Sequence, residues 1–216
     1  MERRVLSGPY SKRSTLELDH GPWSMDHGPS PITDPKMPTP SAPQTVQVRA
    51  PDGPKNGATL KVASRTFSDG AMLQSEQVFQ MCGGKNVAPQ LSWSGAPPGT
   101  KSYAITCFDP DAPTGSGYWH WLAFNIPASV TSLDAGAGNH ESPAGGDSGY
   151  SDFGMNSYGG PCPPKGHGDH HYIFTVYALD VDKIPGASRK TTGATLVFSM
   201  RGHLLASGSI TGRFGH

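Results

Sequence analysis

Two short segments concentrate chemically capable side chains in this 216-residue chain. Asp109-Pro110-Asp111-Ala112-Pro113 places two carboxylates among two prolines, directly after an apolar run. Gly166-His167-Gly168-Asp169-His170-His171-Tyr172 places three imidazoles within five positions, directly before another. Proline fixes φ, so the first segment is a rigid turn that can hold its carboxylates at a pocket mouth. Imidazole can donate to an anion, shuttle a proton or bind a metal. His120, between Trp119 and Trp121 in a further apolar run, adds another imidazole, and the flanking tryptophans are candidates for a pocket wall. The plainer structural readings are an aspartate-capped turn and a loop of solvated histidines.

Other chemistries find less support. His167, His170 and His171, with Cys162 upstream, have the ligand types for zinc or copper, but their spacing matches no closed structural zinc pattern, so no metal is expected. Gly115-Ser116-Gly117 and Ser207-Gly208-Ser209 are not the Gly-x-Ser-x-Gly elbow of an α/β hydrolase. No phosphate-cradling loop or dinucleotide fingerprint is present, and no cofactor is expected. Lysine plus arginine and aspartate plus glutamate number 17 each, a balance that gives no broad surface for nucleic acid or membrane.

Three cysteines cannot all pair within one chain. Cys107 sits in an apolar run and reads as a buried thiol. Cys82 and Cys162 lie in glycine- and proline-rich loops, and the sequence leaves a disulfide between them open. No stretch approaches the ~20 apolar residues of a membrane span. Arg3 and Arg4 precede no hydrophobic region, so no intact secretory signal is read. A cytoplasmic location is expected, or a secreted or periplasmic one if a signal has been removed.

The elements that must position these groups are mostly strands. Charged residues are only 16 %, while 28 glycines and 21 prolines suit a turn-rich β protein better than a helical bundle. Residues 1–57 hold ten of those prolines and the duplication Asp19-His20-Gly21-Pro22 and Asp26-His27-Gly28-Pro29. A disordered leader is expected there, with the folded domain at 58–216. Thr59 to Ser64 alternates with period two, as a half-buried strand does. Ser102 to Phe108 and Trp119 to Ile126 read as central strands, and Tyr172 to Leu179 is the richest in aromatic and β-branched residues. Residues 134–168 read as one long loop. Leu196, Val197, Met200, Leu204 and Leu205 predict an amphipathic helix over Ala194–Ala206, and Ser209 to Gly212 a short final strand.

Taken in order, these motifs resemble the phosphatidylethanolamine-binding proteins, in particular their bacterial Raf-kinase-inhibitor-like branch. The resemblance rests on Cys82-Gly83-Gly84-Lys85-Asn86-Val87-Ala88-Pro89-Gln90-Leu91-Ser92-Trp93, Asp109 through Pro113, and Gly115-Ser116-Gly117-Tyr118-Trp119-His120-Trp121. Tyr158-Gly159-Gly160-Pro161-Cys162-Pro163-Pro164 and Gly168 through Tyr172 complete it, and it covers roughly residues 58–212. It implies a mostly β, antiparallel β-sandwich with few peripheral helices and a small anion pocket for phosphate-type head groups. Asp109, Asp111, His120, Pro161 and His170 are the implied lining, with Trp119, Gly168 and Tyr172 added as ligand contacts and Pro113 and His171 as support. It further implies a cis peptide at Ala112–Pro113.

Ionised Asp109 and Asp111 would repel a phosphate, so their expected part is to orient histidine donors or to accept a ligand ammonium. The family usually carries arginine where this chain has His171, which exchanges a permanent cation for a titratable imidazole. Anion affinity is therefore expected to strengthen as pH falls through about 6.5, the free histidine value. The expected function is ligand binding with a regulatory, kinase- or protease-inhibitor-like role, rather than catalysis. The alternative is an isomerase or hydrolase using the Asp/His pocket for acid–base work. Expected partners are a phosphate or phospholipid-head-group-like anion and a regulated protein, with a homodimer left open, and neither nucleic acid nor an integral membrane segment.

Overall fold

Alternating and doubly apolar runs become the strands they predict. The computed structural model describes residues 57–215; the expected leader lies almost wholly outside the described residues. The strands are β1 (Lys61–Ala63), β2 (Leu91–Ser94), β3 (Ser102–Asp109), β4 (Tyr118–Pro127), β5 (Ser132–Leu133), β6 (Asp147–Ser148), β7 (His170–Leu179) and β8 (Leu204–Phe214), with one helix, α1 (Gly193–Ser199), before β8. β3 is buried at every position, as a strand covered on both faces must be.

Two antiparallel sheets result, a five-stranded one in the order β6-β4-β3-β7-β8 and a three-stranded one in the order β1-β2-β5. Between them lies a core of Leu91, Trp93 and Leu133 from the small sheet against Tyr103, Ile105, Trp121, Phe174 and Val176 from the large one. On the far face of the large sheet, Leu122, Phe124, Tyr177 and Leu179 pack against Ile184 and against Leu196 and Met200 of the helical segment. Side chains this size contribute about 1.5–3 kcal/mol each when fully buried. The outer edge of β8 is covered by the early chain, where Leu60, Gly70 and Leu73 donate backbone N–H groups to Ser207, Thr211 and Arg213 at 3.0, 2.7 and 2.8 Å. That cover removes an edge on which another strand could add.

The C-terminal prediction needs correction. α1 ends at Ser199, and the chain turns at Gly202, whose φ of 82° is left-handed. Leu204 and Leu205, read as part of a helical stripe, belong instead to an 11-residue strand. The cause is a bulge: Ala178 pairs with Ala206 but Leu179 with Leu204, which leaves Leu205 extra and disguises the period-two pattern. Within the stretch 134–168 the chain forms two short 3₁₀ turns, Ala137–Asn139 and Pro143–Gly145, and the edge strand β6.

Candidate functional site

Three neighbouring strands, β4, β3 and β7, bring His120, Asp109 and His170 to the same end of the large sheet. Asp109 is the last residue of β3 and is only 3 % exposed. Its Oδ1 accepts the Asp111 N–H at 2.8 Å, which closes the turn that the prolines stiffen. Its Oδ2 accepts Nδ1–H of His170 at 2.7 Å. Asp111 does the same for the neighbouring imidazole, accepting both the His171 N–H at 2.8 Å and its Nδ1–H at 2.7 Å. Each carboxylate thus orients one imidazole, the outer pair partly exposed and the inner pair buried. A hydrogen bond to a charged group of this kind contributes about 1.5–3 kcal/mol.

His120 reaches the site through an irregularity. Cys107 pairs with Trp121 and Phe108 with Trp119, so His120 is the unpaired residue of a β-bulge. A bulge re-aims the strand, and here its two neighbours part company with the pattern the sequence suggested. Trp121 enters the core between the sheets, while Trp119 packs with Phe108, their rings 4.5 Å apart, against the core on the helix side. Trp119, expected at the pocket wall, does not line the pocket. His120 Nδ1–H donates to the Gly159 carbonyl at 2.7 Å, so in the neutral ring Nε2 is the acceptor. That Nε2 stands 3.9 Å from Asp109 Oδ2. Burial pushes the His120 pKa below its ordinary value, against opposing pulls from the Gly159 carbonyl and from Asp109.

Tyr172, on β7, sets its ring edge-on to His120 with centroids 5.0 Å apart. Its hydroxyl is buried and has no hydrogen-bond partner among the described residues. Burial, then the neighbouring Asp109, pushes its pKa up, so the group stays an O–H donor at any physiological pH. A buried donor without a partner costs about 1–3 kcal/mol, a cost that a ligand acceptor would remove.

Asp109, His120, His170 and Tyr172 line a cavity of about 460 Å³, together with Pro113. Its rim is apolar, built from Phe79, Met81, Phe153, Pro163 and Pro164, and its lining has no lysine or arginine. Of the other expected residues, Asp111 and His171 brace the turn from outside the cavity. Pro161 lies behind the wall, its carbonyl accepting the Phe79 N–H at 3.0 Å. Gly168 is exposed in the histidine loop, with a left-handed φ of 83°. The Ala112–Pro113 bond is trans, like every peptide bond among the described residues, contrary to the family-based expectation. The turn closes instead through the Thr114 N–H donating to the Ala112 carbonyl at 2.8 Å.

Sequence reasoning missed Phe79, Met81, Tyr118 and Phe153 of the lining. Phe79, Met81 and Phe153 come from loops with no periodicity, and no signal in the chain marks them, whereas Tyr118 stands in the motif Gly115 through Trp121 that the resemblance already picked out. The disulfide left open is formed: Cys82 and Cys162 are bonded, with Cα atoms 5.5 Å apart. It ties the segment carrying Phe79 and Met81 to the one carrying Pro163 and Pro164, two parts of one rim. Cys107 is free and buried, and burial raises its thiol pKa well above the ordinary value.

Comparison with known proteins finds relatives of this sequence and fold. The family model described as Phosphatidylethanolamine-binding protein matches residues 63–215. The chain is 45 % identical over 159 residues to the UPF0098 protein YbcL of Escherichia coli (strain K12), covering 71 % of this chain and 86 % of that protein. It is 44 % identical over 159 residues to YbhB of the same organism, covering 72 % and 99 %. The crystal structure of E. coli YbcL, described as a new member of the mammalian PEBP family, superposes with a TM-score of 0.70 at 43 % identity, covering 74 % of this chain and 99 % of that one.

Proposed function

The chain belongs to the phosphatidylethanolamine-binding protein family, and from that premise we propose that its pocket binds a small anion of the phosphate-head-group class. The observation that carries this reading is the unpartnered Tyr172 hydroxyl, on a ring set edge-on to His120 and lining one cavity together with the carboxylate-oriented His170. A donor held without a partner, at no reorganisation cost, is what an anionic oxygen needs. Asp109 and Asp111 take no direct part in holding the anion, because their oxygens already accept from His170, His171 and the turn backbone. The apolar rim receives whatever the head group is attached to.

His120 links this binding to pH. Its buried ring is neutral near neutral pH and turns an acceptor towards Asp109. An anion beside Nε2 favours the protonated ring, as do Asp109 and Asp152, so binding takes up a proton. One linked proton strengthens affinity by up to about tenfold for each pH unit of decrease in the linked range. Calorimetric titration with inorganic phosphate at about pH 8 and about pH 5.5 tests this, with sulfate as a companion anion that does not titrate across this window. Tighter binding of both anions at the lower pH is expected; no binding, or equal sulfate affinity at the two values, overturns the reading.

Two finer parts of the proposal concern setting. A disulfide persists in oxidising surroundings, so Cys82–Cys162 supports a secreted or periplasmic location over the cytoplasmic one. Met81, 86 % exposed on the rim, offers an apolar contact to a regulated protein partner that would sense occupancy of the pocket.

A further inference from the structure

The histidine loop holds a second arrangement that the anion pocket does not use. His170 commits Nδ1–H to Asp109, which leaves Nε2 as the lone-pair nitrogen of the neutral ring. That Nε2 faces away from the carboxylate and stands 3.1 Å from Nδ1 of His167. His167 is exposed, whereas His170 is only 2 % exposed. A buried carboxylate that fixes the tautomer of an imidazole and presents its other nitrogen outward is how metal-ligating histidines are prepared. Two nitrogens, each about 2.0–2.1 Å from one zinc or copper ion, stand about 2.9–3.4 Å apart in tetrahedral and square-planar geometries. The observed separation lies within that span.

We infer that His167 Nδ1 and His170 Nε2 form a two-imidazole chelate for a divalent transition-metal ion of the zinc or copper(II) class. Other groups near the loop are excluded: Cys162 is oxidised in the disulfide, and His171, the next residue of β7, faces the opposite side of the strand from His170. Among the described residues no cluster of three or more histidine, cysteine, aspartate or glutamate side chains could hold a metal, so the site is open, with its remaining positions left to water or a ligand. Gly168, left-handed and with free space around its Cα, lets the loop adjust by the few tenths of an ångström that closure on a metal needs. His170 also lines the cavity, so a dication on its Nε2 adds positive charge beside a pocket that has no lysine or arginine.

Zinc titrated calorimetrically into the full chain is expected to bind one-to-one, and the exposed change His167→Ala to weaken that binding at least about tenfold. His20 and His27 of the leader also offer imidazoles, and a His20→Ala/His27→Ala variant is expected to keep the parent affinity. Absence of zinc binding, parent-like affinity in His167→Ala, or loss of affinity in the leader variant overturns the site. Sulfate affinity is expected to rise on zinc saturation in the parent and to stay constant in His167→Ala. That last arm alone rests on the anion reading: zinc binding with no sulfate response upholds the chelate and overturns only its coupling to the pocket.

Discussion

Tyr172 separates stability from binding at a single atom. Its ring is part of the core between the sheets, and only its hydroxyl lacks a partner. Tyr172→Phe keeps the ring and removes the orphaned donor, so it is expected to leave the ligand-free chain as stable as the parent or up to about 1 kcal/mol more stable. The same variant is expected to lose about tenfold in phosphate affinity, the value of one hydrogen bond to a charged group. Thermal unfolding and calorimetry on the two proteins check both halves. A destabilised variant with parent-like affinity would mean that the hydroxyl serves the fold and not a ligand. The segments that carry His170 and Asp109 stood out by residue type and spacing, because two carboxylates in a proline-stiffened turn and three clustered imidazoles are conspicuous in one chain, and the family resemblance picked out these two residues within them. Which nitrogen of each ring faces which neighbour depends on hydrogen bonds between residues up to 61 positions apart, and spacing carries no trace of that.

At the scale of elements, the site depends on where strands depart from regularity and on how loops are tied. The bulge at His120 turns that imidazole to the cavity while sending Trp119 to the helix side. The rim is drawn together by Cys82–Cys162, across a sequence separation of 80, and by the Phe79 N–H on the Pro161 carbonyl. Replacing both cysteines with serine is expected to cost about 2–5 kcal/mol of folding stability, mostly through the greater freedom of the unfolded chain. The sheets and their core contacts do not depend on that bond, so the variant is expected to fold. Urea unfolding of the variant, and of the parent with and without reductant, measures this; an unchanged midpoint would show that the bond contributes nothing.

The molecule as a whole answers to pH through His120. Its folded pKa is depressed by burial, while in the unfolded chain it lies near about 6.5. The unfolded state therefore takes up the proton first. The stability tied to the neutral buried ring is fully present above about pH 6.5 and is lost as pH falls towards and through the folded value. In anion-free buffer the denaturation midpoint is expected to drop between about pH 7.5 and about pH 5, with a shallower slope in His120→Gln. Equal slopes in parent and variant would remove His120 from the account. Among the described residues no helix is long and apolar enough to cross a membrane.

Strand identity was legible because it is written locally. Ser102 to Phe108 and Tyr172 to Leu179 carry apolar, aromatic and β-branched residues in a density that only a sheet interior accommodates, and both became strands. The order of the short motifs was enough to identify the family. Register is another matter, since one extra residue moves every following side chain to the other face. The bulges at His120 and Leu205 are such one-residue shifts, and they misdirected the reading of Trp119 and of the C-terminal helix. The sequence by itself determined the central strands β3, β4 and β7, the family and the residue types available for chemistry. The tertiary structure alone decided that Asp109 holds His170, that Phe79, Met81 and Phe153 wall the cavity, and that Cys82 meets Cys162. Those contacts join segments far apart in the chain, and only the pairing of the strands brings such segments within bonding distance.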